Sequence, residues 1–182
     1  NNDPQPDDWY PDGWNDYRKG IVDGYNSDGI EFKGVTFKDS TGWTFNIRKS
    51  KNIIMDNVKM LNDYTVVHSD GYDLVSCQDV KVRNSFGVCG DDVFCPKGDI
   101  KEQDMKNYLF QDCVAYAQGG AGCKVGVQAS SNVYNIEFNN IDVKSLYQMF
   151  FKCNSLTSFD FTNFHIENVT NLNGMFEGCS SL

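Results

Sequence analysis

Three aspartates in this sequence have the residue type and the spacing for acid–base chemistry. Asp91 and Asp92 follow Asp70 by 21 and 22 residues. If the fold brings the three carboxylates together, they repel one another and the pKa of at least one must rise. A protonated carboxyl group beside ionised carboxylates is the equipment of glycoside hydrolysis. Aspartates in turns also cap backbone N–H groups, and carboxylate clusters bind calcium, so both of these interpretations stay open here.

A nine-residue pattern that recurs along the chain indicates which elements position these aspartates. In each copy apolar residues alternate, a bend residue takes the sixth position, and two more apolar positions follow. The copies cover residues 29–37, 52–60, 79–87, 107–115 and 135–143. The sixth residues all tolerate the left-handed backbone conformation. They are Gly34, Asn57, Asn84, Asp112 and Asn140.

Short strands that meet at a corner every 20 to 30 residues are typical of a solenoid with stacked strands. We therefore predict an all-β fold, a right-handed parallel β-helix of about five coils over residues 21–145. A β-sandwich is the second choice, but hairpin turn signals are sparse. Residues one coil apart lie about 4.8 Å apart on adjacent strands, so Asp70 should lie beside Asp91 and Asp92. Gly90 would permit a bend that turns both of these carboxylates outward.

Composition excludes several function classes. The 182 residues carry a net charge of −9, which disfavours binding to nucleic acid or to anionic membranes. No apolar run is long enough to span a membrane. Seven cysteines without a C-x-x-C pair, and only two histidines, give no support for a metal site, and we predict neither metal nor cofactor. Most cysteines should be buried thiols; a disulfide between Cys89 and Cys95 stays open.

The two aspartate segments resemble motifs of a known family. Ser69-Asp70-Gly71 resembles the N-T-D-G motif of the polygalacturonase family of glycoside hydrolases, and Gly90-Asp91-Asp92 resembles its G-D-D motif. The dextranase and isopullulanase family is similar. The resemblance covers roughly residues 21–145 and implies a β-helix with an inverting mechanism. It implies that Asp91 is the general acid and that Asp70 and Asp92 position and deprotonate the attacking water.

The sequence departs from the polygalacturonase pattern at the groups that hold an acidic sugar. Gly120–Val127 is the best match to the motif G-H-G-I-S-I-G-S, and Ala121 replaces its histidine. The later R-I-K motif, which clamps the substrate carboxylate, has no counterpart. Because two cationic anchors are missing from a chain of charge −9, we expect a neutral glycan rather than polygalacturonate as substrate.

Further residues could contact a sugar. His68 stands where the first motif has asparagine, and Lys124 either points into the groove or is a solvated lysine on an outer face. Aromatic rings stack on sugar rings, and the candidate subsite aromatics are Trp43, Tyr64 and Tyr116. Tyr72 takes a position where the family carries an apolar residue, and we expect it in the core.

A second repeat begins near residue 146. Met149-Phe150 and Cys153 recur 26 residues later as Met175-Phe176 and Cys179. Residues 149–182 resemble the 26-residue leucine-rich repeat of bacterial surface proteins. We predict such a domain over 146–182, with the repeat continuing beyond it, and an N-terminal cap or linker over 1–20.

Three functions are compatible with these features. The first is a glycoside hydrolase that is secreted or displayed at the cell surface and acts, as a monomer, on a polysaccharide or oligosaccharide. The second is a non-catalytic, glycan-binding or adhesive β-helix. The third is a structural spacer fused to a surface-repeat array. The triad Asp70, Asp91 and Asp92 favours the first.

Overall fold

The structure, a computed structural model, describes residues 20–98, 100, 103–125, 131–154 and 156–182. The predicted N-terminal cap lies outside the described residues except for Gly20. Within these ranges the chain forms thirteen strands and no helix. The strands are β1 (Val22–Tyr25), β2 (Asp28–Lys33), β3 (Thr36–Lys38), β4 (Phe45–Arg48), β5 (Lys51–Asp56), β6 (Lys59–Leu61), β7 (Tyr72–Val75), β8 (Gln78–Arg83), β9 (Phe86–Cys89), β10 (Phe94–Lys97), β11 (Met105–Ala117), β12 (Val133–Val143) and β13 (Phe164–His165).

All strand pairs are parallel, and each joins one coil to the next. Strands β1, β4, β7 and β10 form the first sheet. The other nine form the second sheet, which bends at a corner so that β2, β5 and β8 lie on one side of the bend and β3, β6 and β9 on the other. Strands β11 and β12 run through the corner without a break. The predicted right-handed parallel β-helix of about five coils is confirmed, and the alternative β-sandwich is wrong.

The predicted bend residues all adopt the left-handed conformation. The φ angles at the five sixth positions lie between 50° and 63°. Asparagine and aspartate at these corners also form side-chain bonds between coils: Asn84 Nδ2 donates to Asp56 Oδ1 at 2.9 Å, and Asn140 Nδ2 donates to Asp112 Oδ1 at 2.5 Å. The asparagine content of the sequence therefore serves both the backbone geometry and the stacking of coils.

A ladder of aromatic rings runs through the core from coil to coil. Ring centroids of Phe45 and Tyr72 lie 5.7 Å apart, those of Tyr72 and Phe94 5.0 Å, and those of Phe110 and Phe138 4.9 Å. Tyr72 is fully buried, as predicted, and its hydroxyl donates to the Val58 carbonyl at 2.9 Å. Offset and edge contacts between rings add to the stabilisation from burial, and they tie each coil to its neighbours.

All seven cysteines carry free thiols, and five of them are buried. The disulfide considered between Cys89 and Cys95 is not formed. Cys89 packs in the apolar core, whereas the Cys95 thiol lies beside Asp70 and Asp92 on the outer side of β10. The two side chains therefore point to opposite sides of the coil wall.

The residues after β12 continue the stack with a 26-residue period. Leu146 N donates to Asn171 O at 2.9 Å, and the rings of Phe150 and Phe176 stack 5.5 Å apart at an interplanar angle of 8°. Assignment of residues 146–182 to a separate leucine-rich-repeat domain stays a prediction. Among the described residues, no helix is long and apolar enough to cross a membrane.

The corner at Asn84 provides a test of this architecture. Asn84 has a φ of 50°, so a β-branched residue there should strain the backbone, while glycine should not. Both replacements lose the bond to Asp56, so their difference isolates the backbone term. We expect Asn84→Val to lower the free energy of unfolding by about 1–2 kcal/mol more than Asn84→Gly, measured by urea denaturation. Equal losses would contradict a left-handed corner at this residue.

Candidate active site

The first sheet presents a row of polar side chains on its outer face. Phe45, Tyr72 and Phe94 are in register on adjacent coils and fill the core. Successive side chains on a strand point to opposite faces, so the residue after each of these three faces outward. The outward residues in this row are Asn46, Asp73 and Cys95.

Asp70 and Asp92 lie side by side just before strands β7 and β10. The Gly71 amide donates to the Asp92 carbonyl at 2.9 Å, which continues the parallel register of the two strands. A carboxylate oxygen of Asp70 and one of Asp92 lie within 4.8 Å of each other. Both residues are almost completely buried, at 3% and 5% exposed. The spacing of about one coil thus brings these two aspartates together.

The Asp91 carboxylate also lies close to the Asp92 carboxylate, beside Gly120. A β-carbon built on Gly120 would overlap a carboxylate oxygen of Asp91 and one of Asp92. The Ala121 amide donates to Asp92 Oδ1 at 2.7 Å and fixes that carboxylate. Asp91 is more exposed than Asp92, and its Oδ2 lies 3.5 Å from His68 Nδ1. Both carboxylates therefore converge over the space that glycine leaves at position 120.

A loop between β6 and β7 positions Asp70 and His68. Ser69 Oγ accepts a bond from the Gly90 amide at 3.0 Å, and Asn62 Nδ2 donates to the Ser69 carbonyl at 3.2 Å. A β-carbon at Gly90 would collide with the Val66 carbonyl and with Ser69 Oγ. Gly90 thus lets this loop pack against the next coil, a different role from the bend that the sequence suggested.

Two lysines place their ammonium groups against the carboxylates. Lys97 Nζ forms an ion pair with Asp73 Oδ1 and lies 3.3 Å from Asp70 Oδ2. Lys124 Nζ lies 3.5 Å from Asp92 Oδ2. Both lysines are 7% exposed, so each is a buried partner of the carboxylates and Lys124 is not a solvated surface lysine.

Burial raises the pKa values of the clustered acids. The pKa of Asp70 is raised well above its usual value by desolvation and then by the charge of Asp73, against the opposing effect of Lys97. Desolvation also raises the pKa of Asp92, with Lys124 opposing it and Asp91 adding to it. Desolvation raises the pKa of Asp73 to about 7. Carboxyl groups with raised pKa values beside further carboxylates can donate and accept protons near neutral pH.

The aromatic residues predicted as subsites fall in different places. The Trp43 ring lies 3.9 Å from Lys97 Nζ, beside the carboxylates. Tyr64 is 54% exposed on the loop that carries His68. Tyr116 lies on the second sheet, where its hydroxyl accepts a hydrogen bond from Lys144 Nζ at 2.7 Å. Its role as a subsite aromatic stays a prediction.

Sequence reasoning missed Asp73 and Lys97. Both follow directly from strand alternation: a buried Tyr72 turns Asp73 outward, and a buried Phe94 turns Cys95 and Lys97 outward. The alternation signal was therefore present, but the two family motifs end at Gly71 and Asp92.

Asp70, Asp92 and Cys95 are the one group of potential metal ligands that the described ranges bring within 4.8 Å of one another. Desolvation raises the pKa of the Cys95 thiol well above its usual value, so the thiolate that metals prefer is disfavoured. The ammonium groups of Lys97 and Lys124 already neutralise the neighbouring carboxylates. This set is therefore a poor site for a cation.

Comparison with known proteins agrees with the motifs. The model of glycosyl hydrolases family 28 matches residues 21–178. A polygalacturonase from Brassica napus is 34% identical over 99 residues, which are 54% of this chain and 23% of that protein. A probable exopolygalacturonase B from Emericella nidulans is 27% identical over 117 residues, 61% of this chain and 26% of that protein. The chain thus spans about a quarter of each relative's length. No solved structure matches.

The buried acids make stability depend on pH in a predictable direction. A carboxyl group whose pKa is raised in the folded state stabilises the fold below its unfolded pKa, and that contribution is lost as pH rises through the folded pKa. Asp70→Asn should therefore raise the melting temperature at pH 8 and leave it unchanged near pH 3.5. Each unit by which folding raises the Asp70 pKa corresponds to about 1.4 kcal/mol. Thermal unfolding at both pH values measures the effect.

Asp91→Asn is the matched control, because Asp91 is more exposed than Asp70. It should give a smaller change at pH 8. A loss of stability in Asp70→Asn at pH 8 would contradict the argument, since it would mean that the Asp70 charge stabilises the fold.

Proposed function

Because this chain belongs to glycosyl hydrolases family 28, we propose that it hydrolyses O-glycosidic bonds of a polysaccharide with an aspartate triad. The observation that carries the proposal is that the Asp92 carboxylate lies within 4.8 Å of Asp70 and meets the Asp91 carboxylate beside Gly120. The raised pKa values of Asp70 and Asp92 suit general acid–base catalysis.

The roles of the three aspartates follow from the family resemblance and from their exposure. Asp70 and Asp92 are both buried and lie within 4.8 Å of each other, which suits two carboxylates that hold one water. Asp91, with its greater exposure, is then the general acid that protonates the leaving oxygen.

Neighbouring side chains support substrate binding. His68 lies against Asp91 and is exposed enough to contact a sugar, and Tyr64 is exposed on the same loop. Trp43 offers an aromatic surface beside Asp70 and Lys97. Lys124 is buried against Asp92. This burial supports a role in holding the Asp92 carboxylate rather than in contacting the substrate directly.

The proposal also concerns whether the substrate is charged or neutral. A uronic acid polymer needs cations that its carboxylates can reach, yet Lys97 and Lys124 are buried and already paired with aspartates. This pairing and the net charge of −9 support a neutral glycan. Polygalacturonate is the second candidate, because both relatives are named as polygalacturonases.

We also propose that the protein works as a monomer outside the cell or at its surface. The support is the resemblance of residues 149–182 to the repeat of bacterial surface proteins. In this proposal residues 146–182 form that repeat and residues 21–145 the catalytic β-helix.

Replacement of the proposed acid tests catalysis directly. Asp91→Asn keeps the size of the side chain but cannot protonate the leaving oxygen, so the release of reducing ends should fall by at least about 10²-fold. Asp142→Asn, on the second sheet, is the matched control and should keep wild-type activity. Full activity in Asp91→Asn would overturn the proposal. Glycan binding that survives in both variants, with no turnover by the wild type, would favour the adhesive alternative.

A comparison of substrates tests the charge argument. The protein should release reducing ends from a neutral glycan, with dextran and pullulan as probes, faster than from polygalacturonate. The measurement is the initial rate on each polymer at equal concentration and pH. A higher rate on polygalacturonate would show the substrate that the relatives' names indicate, and would refute the neutral-glycan assignment while leaving the triad intact.

A further inference from the structure

Lys97 lies at the centre of a nearly dry cluster of charges. Its ammonium group pairs with Asp73 and lies 3.3 Å from Asp70 Oδ2, and the side chains of Lys97, Asp73 and Asp70 are 8%, 0% and 4% exposed. The Trp43 ring covers the ammonium group at 3.9 Å. The Lys97 ammonium group thus lies against two carboxylates in a site that excludes solvent.

The two oxygens of Asp70 have different surroundings. Oδ2 faces Lys97, whereas Oδ1 is buried and has no hydrogen-bond partner among the described residues. A buried acceptor without a partner costs free energy. Oδ1 is therefore the Asp70 oxygen that the described side chains leave uncompensated, while Lys97 holds Oδ2.

We propose that Lys97 is a positioning residue, which holds Asp70 through Oδ2 as an ionised base, and that Asp73 anchors Lys97. The inference rests on the proposed function of Asp70 and goes beyond the aspartate triad. Lys97 does not need to touch substrate, because its ammonium group is enclosed by Asp70, Asp73 and Trp43.

Charge balance in the cluster gives the two partners opposite effects. Without Lys97, two buried carboxylates would face each other, and Asp70 would hold its proton to a higher pH. Without the charge of Asp73, Lys97 would act on Asp70 alone, and Asp70 would lose its proton at a lower pH. These directions match the contributions of the two residues to the Asp70 pKa, which Asp73 raises and Lys97 lowers. The other titratable or charged groups that act on this cluster are Arg48, Cys89, Asp91, Asp92 and Cys95.

The test compares Lys97→Met, Asp73→Asn and the double variant by the pH dependence of kcat. Lys97→Met should move the acid limb to higher pH and lower kcat at least about tenfold at the midpoint of the wild-type acid limb, with KM unchanged. Asp73→Asn should move the limb to lower pH. The double variant should lie between the two, and it also removes the unpaired buried charge that could unfold Lys97→Met. Lys81→Met, on the outer face of the second sheet, is the control and should match the wild type.

Acid limbs that do not move, or that move in the same direction in both single variants, would overturn the proposal. A second readout needs no catalysis: the carbon-13 resonance of the Asp70 carboxyl group, assigned from the Asp70→Asn spectrum, should titrate at higher pH in Lys97→Met and at lower pH in Asp73→Asn. If the wild type hydrolyses no glycan, the proposed function fails. The titration then decides separately whether Lys97 controls the charge of Asp70.

Discussion

The structure depends on one constraint, the in-register parallel stacking of successive coils. Backbone bonds between coils fix Tyr72 beside Phe45 and Phe94, and the same register fixes Asp70 beside Asp92. The ladder of aromatic rings and the candidate site thus lie on the inner and outer faces of the same sheet. Left-handed corners keep every coil on the same path, because a single residue out of step would turn each following side chain to the opposite face.

The candidate site is built at a cost to the fold. Asp70, Asp73 and Asp92 are buried side by side, with the ammonium groups of Lys97 and Lys124 against them. Desolvation is the largest cause of the raised pKa of each of these acids. A solenoid can hold such a cluster because the aromatic ladder directly beneath it stabilises the same strands. Family membership and this geometry point to the same chemistry.

Much of the fold could be predicted because its signals are local and repeated. The bend residue at each sixth position and the alternation around it predicted the corners and the coil spacing, and this spacing placed Asp70 one coil from Asp92. The burial of Tyr72 was predicted from the family motif instead. The ion pair of Lys97 with Asp73 was missed because it joins neighbouring strands at positions outside the two family motifs. Tyr116 lies on the second sheet, and its role as a subsite aromatic stays a prediction. Side-chain positions beyond a corner depend on the bend angle, which the repeat pattern does not encode.

The central claim is that Asp91 protonates the leaving group while Asp70 and Asp92 hold the water on the opposite face of the sugar. Proton NMR of the anomeric centre in the first product released tests it most directly, with dextran, pullulan and polygalacturonate as substrates. The account predicts that the new reducing end first appears with inverted configuration and only later equilibrates. Retained configuration in the first product, or no product from any of the three polymers, would contradict it.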